Sequence, residues 1–102
     1  MYRLLYLPLA NRDLAEAVDY IVETLAAPQV ALDLLSALDE SLSRLQHFPC
    51  LSPVYLPVKA LERESRVLPV KNYVVFYTVD EQDKVVEVCR VLHMRRDFAT
   101  QL

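Results

Sequence analysis

The chain has 102 residues, of which 54% are hydrophobic, and a formal net charge of −3. This length and composition predict one domain over residues 1–102 that buries a hydrophobic core, and they exclude a disordered chain. Glycine is entirely absent, which excludes the glycine-rich loops that cradle phosphates, so we expect no nucleotide cofactor.

Cysteine, histidine and hydropathy patterns indicate the compartment. Cys50 and Cys89 have no CxxC partner, and the two histidines do not complete a zinc site at a known spacing, so we expect no metal and no other cofactor. We interpret both thiols as those of a reducing, cytoplasmic protein. No stretch approaches the ~18 apolar residues that span a bilayer, and we expect no contact with membranes.

The chain begins with a predicted strand and an amphipathic helix. Side chains alternate over residues 2–7, and Pro8 then stops the strand ladder. From Asn11 the apolar residues recur at intervals of three and four, which predicts a helix. Asn11 is a candidate N-cap, and Asp13 suits the positive end of the helix dipole. The apolar stripe consists of Leu14, Val18, Ile21, Val22 and Leu25.

A second helix follows at once. Pro28 closes the first helix and suits the first turn of the next, which ends before Pro49. The second apolar stripe consists of Val30, Leu34, Leu35, Leu38, Leu42, Leu45 and Phe48. The short connection makes the two helices an antiparallel hairpin. Residues 49–64 contain three prolines without a sustained period, and we predict a surface loop there.

Three strands complete the predicted fold. They cover residues 66–71, 73–80 and 84–94, joined by short turns. The middle strand is apolar on both faces and should be central, with Tyr73 and Tyr77 on one face as core or rim aromatics. The sequence therefore predicts a two-layer α+β domain of order β-α-α-β-β-β, in which a helical hairpin packs on a mainly antiparallel four-stranded sheet.

Several segments together resemble the RelE/ParE superfamily of toxins from bacterial type II toxin–antitoxin modules. They are "DLAEAVDYI" in the first helix, "ALDLL" in the second, "RVLPVKNYVVFYTVDE" across the hairpin and "VCRVLHMRRDF" at the end. The resemblance implies the fold described above and a growth-inhibiting toxin that is neutralised by a cognate antitoxin. In the ParE branch it implies inhibition of DNA gyrase, and in the RelE branch a ribosome-dependent mRNA endoribonuclease.

The arginine pair near the end of the last strand contains the first candidate site residues. By motif position Arg96 resembles the arginine that stabilises the transition-state phosphate in the nucleases of the superfamily, a role that suits its fork of donors. Adjacent residues of an extended chain point to opposite faces, so only one of Arg95 and Arg96 should face the groove. The alternative is a solvated Arg96 that pairs with Asp97 or Asp83.

His93 and Arg66 are the other catalytic candidates, if the protein is RelE-like. His93 has a suitable pKa range for proton transfer and resembles the histidine of some nuclease members, but a structural ring is the alternative. Arg66 matches an arginine found across the superfamily, so a structural or antitoxin-pairing role fits it equally well. As target-binding residues we select Arg95, Arg96 and Lys71. Arg90 should pair with Glu87 or with a polar group of another strand.

Net charge decides between the branches at this stage. Residues 1–50 hold seven acids against three bases, and residues 51–102 hold seven acids against eight bases. An acidic chain suits a phosphate-lined ribosomal site poorly, so we predict a ParE-like toxin that acts on DNA gyrase. A toxin of that branch is no enzyme, whereas one of the RelE branch is an endoribonuclease. The alternatives are a RelE-like endoribonuclease, in which Arg66 and Arg96 hold phosphate and His93 moves a proton, and a degenerate scaffold that only binds antitoxin.

Overall fold

A computed structural model describes residues 1–48, 54–55 and 65–95 of the chain. In chain order its elements are β1 Arg3–Tyr6, α1 Pro8–Asp19, a π-helical turn Tyr20–Thr24, α2 Pro28–His47, β2 Val54–Tyr55, β3 Ser65–Val70, β4 Tyr73–Asp80 and β5 Val85–His93. The described strands form one sheet in the order β1-β5-β4-β3-β2. β1 is parallel to β5, and the other neighbouring pairs are antiparallel.

The predicted α+β architecture is confirmed, with one added strand. The two helices form a hairpin on a mainly antiparallel sheet, and all four predicted strands are present. The two-residue β2 lies inside the stretch predicted as a loop and pairs with the outer edge of β3. The rest of that predicted loop lies outside the described residues.

The first helix starts earlier than the sequence suggested. Leu7 is its N-cap residue and Pro8 its first helical residue, while the Asn11 N–H already donates to the Leu7 carbonyl at 3.1 Å. Proline suits this position because its missing N–H would have had no helical partner and its fixed φ is helical. The predictions of Asn11 as the cap and Asp13 in the first turn were therefore wrong.

The core lies between the sheet and the face of each helix that packs on it. Tyr77, Leu42 and Leu45 are among its largest fully buried side chains, and Tyr73 is buried beside them, so both tyrosines are core residues. Other core positions on β4 and β5 are Val75, Val86, Val88 and Val91. Burial of this apolar surface is the main favourable term for such a domain.

Part of each predicted apolar stripe does not reach this core. The following members are at least 39% exposed: Val22, Leu25, Val30, Leu35 and Phe48. The sheet covers a narrower line on each helix than the sequence periodicity implied. The helix pair therefore presents several apolar side chains to solvent.

A β-bulge on β5 and an aspartate on α1 fix the edge of the sheet. Phe76 pairs with Arg90 and Tyr77 with Val88, so Cys89 is the extra residue of β5. The parallel pairing with β1 ends near this point. Beyond it, the Asp13 carboxylate accepts the Val91 N–H at 3.0 Å. A side chain thus replaces the missing strand as partner of the ladder.

The first strand is held to the C-terminal part of α2. The Tyr2 N–H donates to the Gln46 carbonyl at 2.8 Å, and Gln46 Nε2 returns a hydrogen bond to the Tyr2 carbonyl at 3.2 Å. Burial, and next the negative charge of Asp39, raise the pKa of the Tyr6 phenol above its ordinary value.

None of the helices in the described ranges combines the length and apolar character needed to cross a lipid bilayer.

Candidate functional site

Two turns meet at one end of the sheet. The β3–β4 turn contains Lys71 and Asn72, and the chain leaves β5 through Met94 and Arg95. The Met94 N–H donates to the Asn72 carbonyl at 3.0 Å, which ties the two turns together. Lys71 occupies the left-handed region with a φ of 57°, where a residue with a Cβ is strained.

His93 is held in place by the same end of the sheet. Its ring packs edge-on against Tyr73 with 5.1 Å between the centroids. Its Nδ1 accepts the Arg95 N–H at 3.2 Å, so the neutral ring carries its proton on Nε2. A nitrogen that already accepts a backbone hydrogen bond is not open to take a proton from a substrate.

The helix hairpin faces these two turns and forms the second wall of a cleft. The Leu25 N–H bonds to the Tyr20 carbonyl at 3.1 Å, which defines the π turn, and the Ala27 N–H reaches back to the Ile21 carbonyl at 3.0 Å. Ala26 between them is left-handed, with a φ of 51°. A π turn and left-handed non-glycine residues are features found often at functional sites.

A cleft of about 210 Å³ lies between these two walls. Its floor is made of Ile21, Leu34 and Tyr73, which are all buried, and its rim includes the exposed Leu25 and Val30. Its polar lining consists of Tyr20, Asp33, Lys71, Asn72 and His93. The Asp33 carboxylate accepts from Gln29 Nε2 at 3.1 Å.

The structure brings some of the predicted site residues together and separates others. Lys71 and His93 line the cleft, and Arg95 follows His93 by two residues. Arg66 lies opposite Tyr77, whereas His93 lies opposite Tyr73. Tyr77 and Tyr73 are four residues apart, so Arg66 and His93 are separated by roughly 13 Å along the strand direction. They also lie on different strands, β3 and β5, which flank β4 on its two edges. Arg96 lies outside the described residues.

Arg90 pairs with a residue that the sequence did not indicate. Arg90 Nε donates to Asp13 Oδ2 at 2.8 Å and its Nη2 to Asp13 Oδ1 at 3.1 Å, a bidentate pair with a helix. We had expected Glu87 or another strand. Because α1 runs along the open edge of β5 beyond β1, the helical carboxylate reaches both the guanidinium and the edge amide of Val91.

Sequence reasoning missed the helix wall of the cleft. It assigned Leu25 and Val30 to the core-facing stripes, and it gave Tyr20 and Asp33 no role. The available signal was the connection between the helices, where Ala26 and Ala27 stand without glycine or a capping side chain.

Comparison with protein-family models finds a match over most of the chain. A family model described as the ParE toxin of the type II toxin–antitoxin system parDE matches residues 4–98. The chain belongs to the ParE toxin family. This member of the ParE family is the toxin component of a type II toxin–antitoxin module. Comparison with the curated proteins finds no match for the sequence.

Solved structures resemble the fold of this ParE-family chain. The chromosomal ParDE toxin–antitoxin system from P. aeruginosa matches with a TM-score of 0.70 and 21% identity, covering 93% of this chain and 98% of the other. The archaeal RelE–RelB complex from Pyrococcus horikoshii OT3 has a TM-score of 0.63 at 16% identity and covers 93% and 97%. The isolated E. coli RelE toxin has the same TM-score and identity and covers 99% and 93%.

Proposed function

We propose that this ParE-family toxin arrests growth by inhibiting DNA gyrase, and that a cognate antitoxin neutralises it by covering the helix hairpin and the cleft. The observation that carries the proposal is the match to the ParE family over residues 4–98. Two of the structural neighbours are toxin–antitoxin systems or complexes, which supports an antitoxin as partner. The exposed apolar side chains of the two helices supply a surface of the kind that an amphipathic segment covers.

The placement of the nuclease candidates supports gyrase over mRNA. A proton-transferring residue and the arginines that hold the phosphate must lie around one reacting group. Here His93 and Arg66 are separated by four positions along β4, and Nδ1 of His93 is occupied by the Arg95 amide. Neither observation suits a nuclease centre that combines them.

Expression without antitoxin tests this function. The toxin should stop growth and should trap gyrase–DNA cleavage complexes, while ribosome-bound mRNA stays uncut. Cleaved mRNA with unaffected gyrase would instead identify a RelE-like endoribonuclease. A culture that keeps growing would identify a scaffold that only binds antitoxin.

Arg96 is the first target for mutation. Arg96→Ala should abolish growth arrest and leave antitoxin affinity nearly unchanged, because we assign Arg96 to the target and not to the pairing. Arg12→Ala is the matched control, since this exposed arginine on α1 pairs, within the described part of the chain, only with the carboxylate of Glu16 and is not part of the cleft lining. An Arg96→Ala toxin as active as the parent would remove Arg96 from the site.

A further inference from the structure

We propose that the outer face of the helix hairpin docks on a cationic protein surface of the target enzyme. This outer face consists of Val22 in the π turn and of Leu32 and Leu35 on α2. None of the three lines the cleft, so the outer face is a separate surface. The inference rests on the proposed inhibition of gyrase and assigns the part of the chain that contacts this target.

Contacts on both sides of the hairpin define where these side chains lie. Gln46 follows the two leucines by eleven and fourteen positions, which places it near the same line of α2. Its Nε2 donates to the Tyr2 carbonyl of β1, so this line turns toward the sheet edge where α1 runs. On α1, Asp13 bonds to β5, and Val22 comes nine positions later, about half a turn around the helix. Val22 and the leucines therefore lie along the boundary between the two helices.

The outer face is apolar, open to solvent and held in place from beneath. Its three side chains are between 39% and 58% exposed. On the opposite side of the same elements, Ile21 and Leu34 are buried and pack in the core. A surface that is ordered before binding loses little conformational entropy in a complex. Contacts made on this face therefore contribute most of their energy to affinity.

Exposed carboxylates flank the outer face at both ends. Asp19 precedes Val22 by three positions and Asp39 follows Leu35 by four, about one helical turn in each case. Helical residues 8–47 hold seven acids against two arginines. Four of these acids are exposed and make no hydrogen bond or ion pair within the described ranges: Asp19, Glu23, Asp39 and Glu40.

The charge of these carboxylates decides between possible occupants of the outer face. A second copy of the chain would bring the same four carboxylates against them, and nucleic acid and anionic lipid surfaces are also negative, so all three are repelled. A cationic partner is attracted, because guanidinium and ammonium groups pair with carboxylates. An enzyme that holds DNA meets the phosphates with lysine and arginine side chains. The target proposed above therefore has the complementary surface.

Two variants with the same change of charge test the role of the carboxylates. Asp19→Asn/Glu23→Gln removes two of them from the outer face. Glu81→Gln/Asp83→Asn removes two from the turn between β4 and β5, at the opposite end of the sheet from the β3–β4 turn. Association with gyrase bound to DNA is followed by surface plasmon resonance, and thermal unfolding confirms that each variant is folded. We expect the first variant to associate about tenfold more slowly at low salt, because opposite charges steer the encounter, and the second to associate as the parent does.

Two leucine variants test the apolar part of the outer face. Leu32→Ala shortens its most exposed side chain. Leu9→Ala is the matched control, since Leu9 is also an exposed leucine but lies four positions before Asp13, on the side of α1 that faces β5. Leu32→Ala should weaken binding to gyrase about fivefold by loss of buried apolar surface, and Leu9→Ala should bind as the parent does.

The outcomes separate this inference from the function on which it rests. Equal association rates of the two charge variants, or equal affinities of the two leucine variants, would overturn the inference and leave gyrase as the target. Variants that lose affinity only for the small protein encoded beside the chain would overturn it as well, since the face would then serve the antitoxin. A parent chain that does not bind gyrase would overturn the proposed function and this inference with it.

A helical peptide made only of leucine and lysine provides a second measurement that needs no gyrase. At low salt it should shift the amide resonances of Leu32 and Leu35 more than that of Asn72 in the cleft. A peptide of leucine and glutamate should leave all three unshifted, and Asp19→Asn/Glu23→Gln should reduce the shifts caused by the basic peptide. Shifts confined to the lining of the cleft would overturn the inference.

Discussion

Replacing Asp13 by alanine should destabilise the protein far more than removing any exposed carboxylate of the same helix. The Asp13 carboxylate accepts three hydrogen bonds, two from Arg90 and one from the Val91 amide. Its side chain is only 10% exposed, and that of Arg90 is 31% exposed. The variant loses the charge pair and also leaves an edge amide of β5 without an acceptor.

The magnitude follows from these two losses. A buried donor left without a partner costs about 1–3 kcal/mol. Breaking a fully buried ion pair costs about 3–5 kcal/mol, but the guanidinium of Arg90 is one-third exposed and regains water by turning outward, which reduces this contribution. We therefore expect a total loss of about 2–3 kcal/mol, which corresponds to a fall in Tm of roughly 10–20 °C for a domain of this size.

Urea unfolding followed by circular dichroism measures the effect directly. Glu16→Ala is the matched control, because the ion pair between Arg12 and Glu16 joins side chains that are 74% and 67% exposed and should contribute about 0.5 kcal/mol or less. Asp13→Asn keeps one acceptor for the Val91 amide and should fall between the two. Equal stability of the Asp13→Ala and Glu16→Ala variants would refute the idea that this carboxylate replaces a strand.

Three further predictions concern stability. The pKa of the Tyr6 phenol is raised above the ordinary 10.0, so the phenol holds its proton more tightly in the folded state than in the unfolded state. The contribution of Tyr6 to stability is therefore full below about pH 10 and falls above it. Tyr6→Phe should flatten that fall in urea titrations from pH 9 to 11. Ala26→Gly relieves a left-handed φ of 51° and should stabilise the protein by about 0.5 kcal/mol. Ala15→Gly inside α1 should destabilise it by about 1 kcal/mol. A less stable Ala26→Gly than Ala15→Gly variant would contradict the claim that Ala26 is strained. Leu42→Ala, at 1% exposure, should cost about 2–5 kcal/mol, and Leu32→Ala on the exposed side of the same helix should stay within about 0.5 kcal/mol, as thermal unfolding will measure.

The strands and the helix hairpin were predictable because each depends on local pattern. Alternation and β-branched residues mark β4 and β5, and Pro28 fixes the start of α2. The pairing of Asp13 with Arg90 was not predictable in the same way, since it joins residues 77 positions apart and depends on where β1 ends. A contact that compensates for a missing strand has no periodic signature in either segment.

The cleft was only half predictable, for a physical reason. Its sheet wall contains Lys71 and His93, charged or titratable residues that sequence reasoning selects by their chemistry. Its helix wall contains a π turn, in which hydrogen bonds join residues five positions apart. A side chain with α-helical spacing in the sequence is thereby rotated away from the core. Leu25 therefore retains the spacing of a core residue, although it is 53% exposed at the rim.

Local charge, and not the net charge of −3, governs what this cleft attracts. The acidic turn after β4, with Glu81 and Asp83, lies at the far end of a strand of eight residues, roughly 23 Å from Lys71. Exposed charges this far apart are screened from one another, because the Debye length at physiological salt is about 8 Å. The far acids therefore do not cancel the field of Lys71 and Arg95, and the sheet wall of the cleft is cationic opposite the carboxylate of Asp33 on the helix wall. The net charge of −3 therefore supports gyrase over the ribosome more weakly than the separation of Arg66 from His93 does.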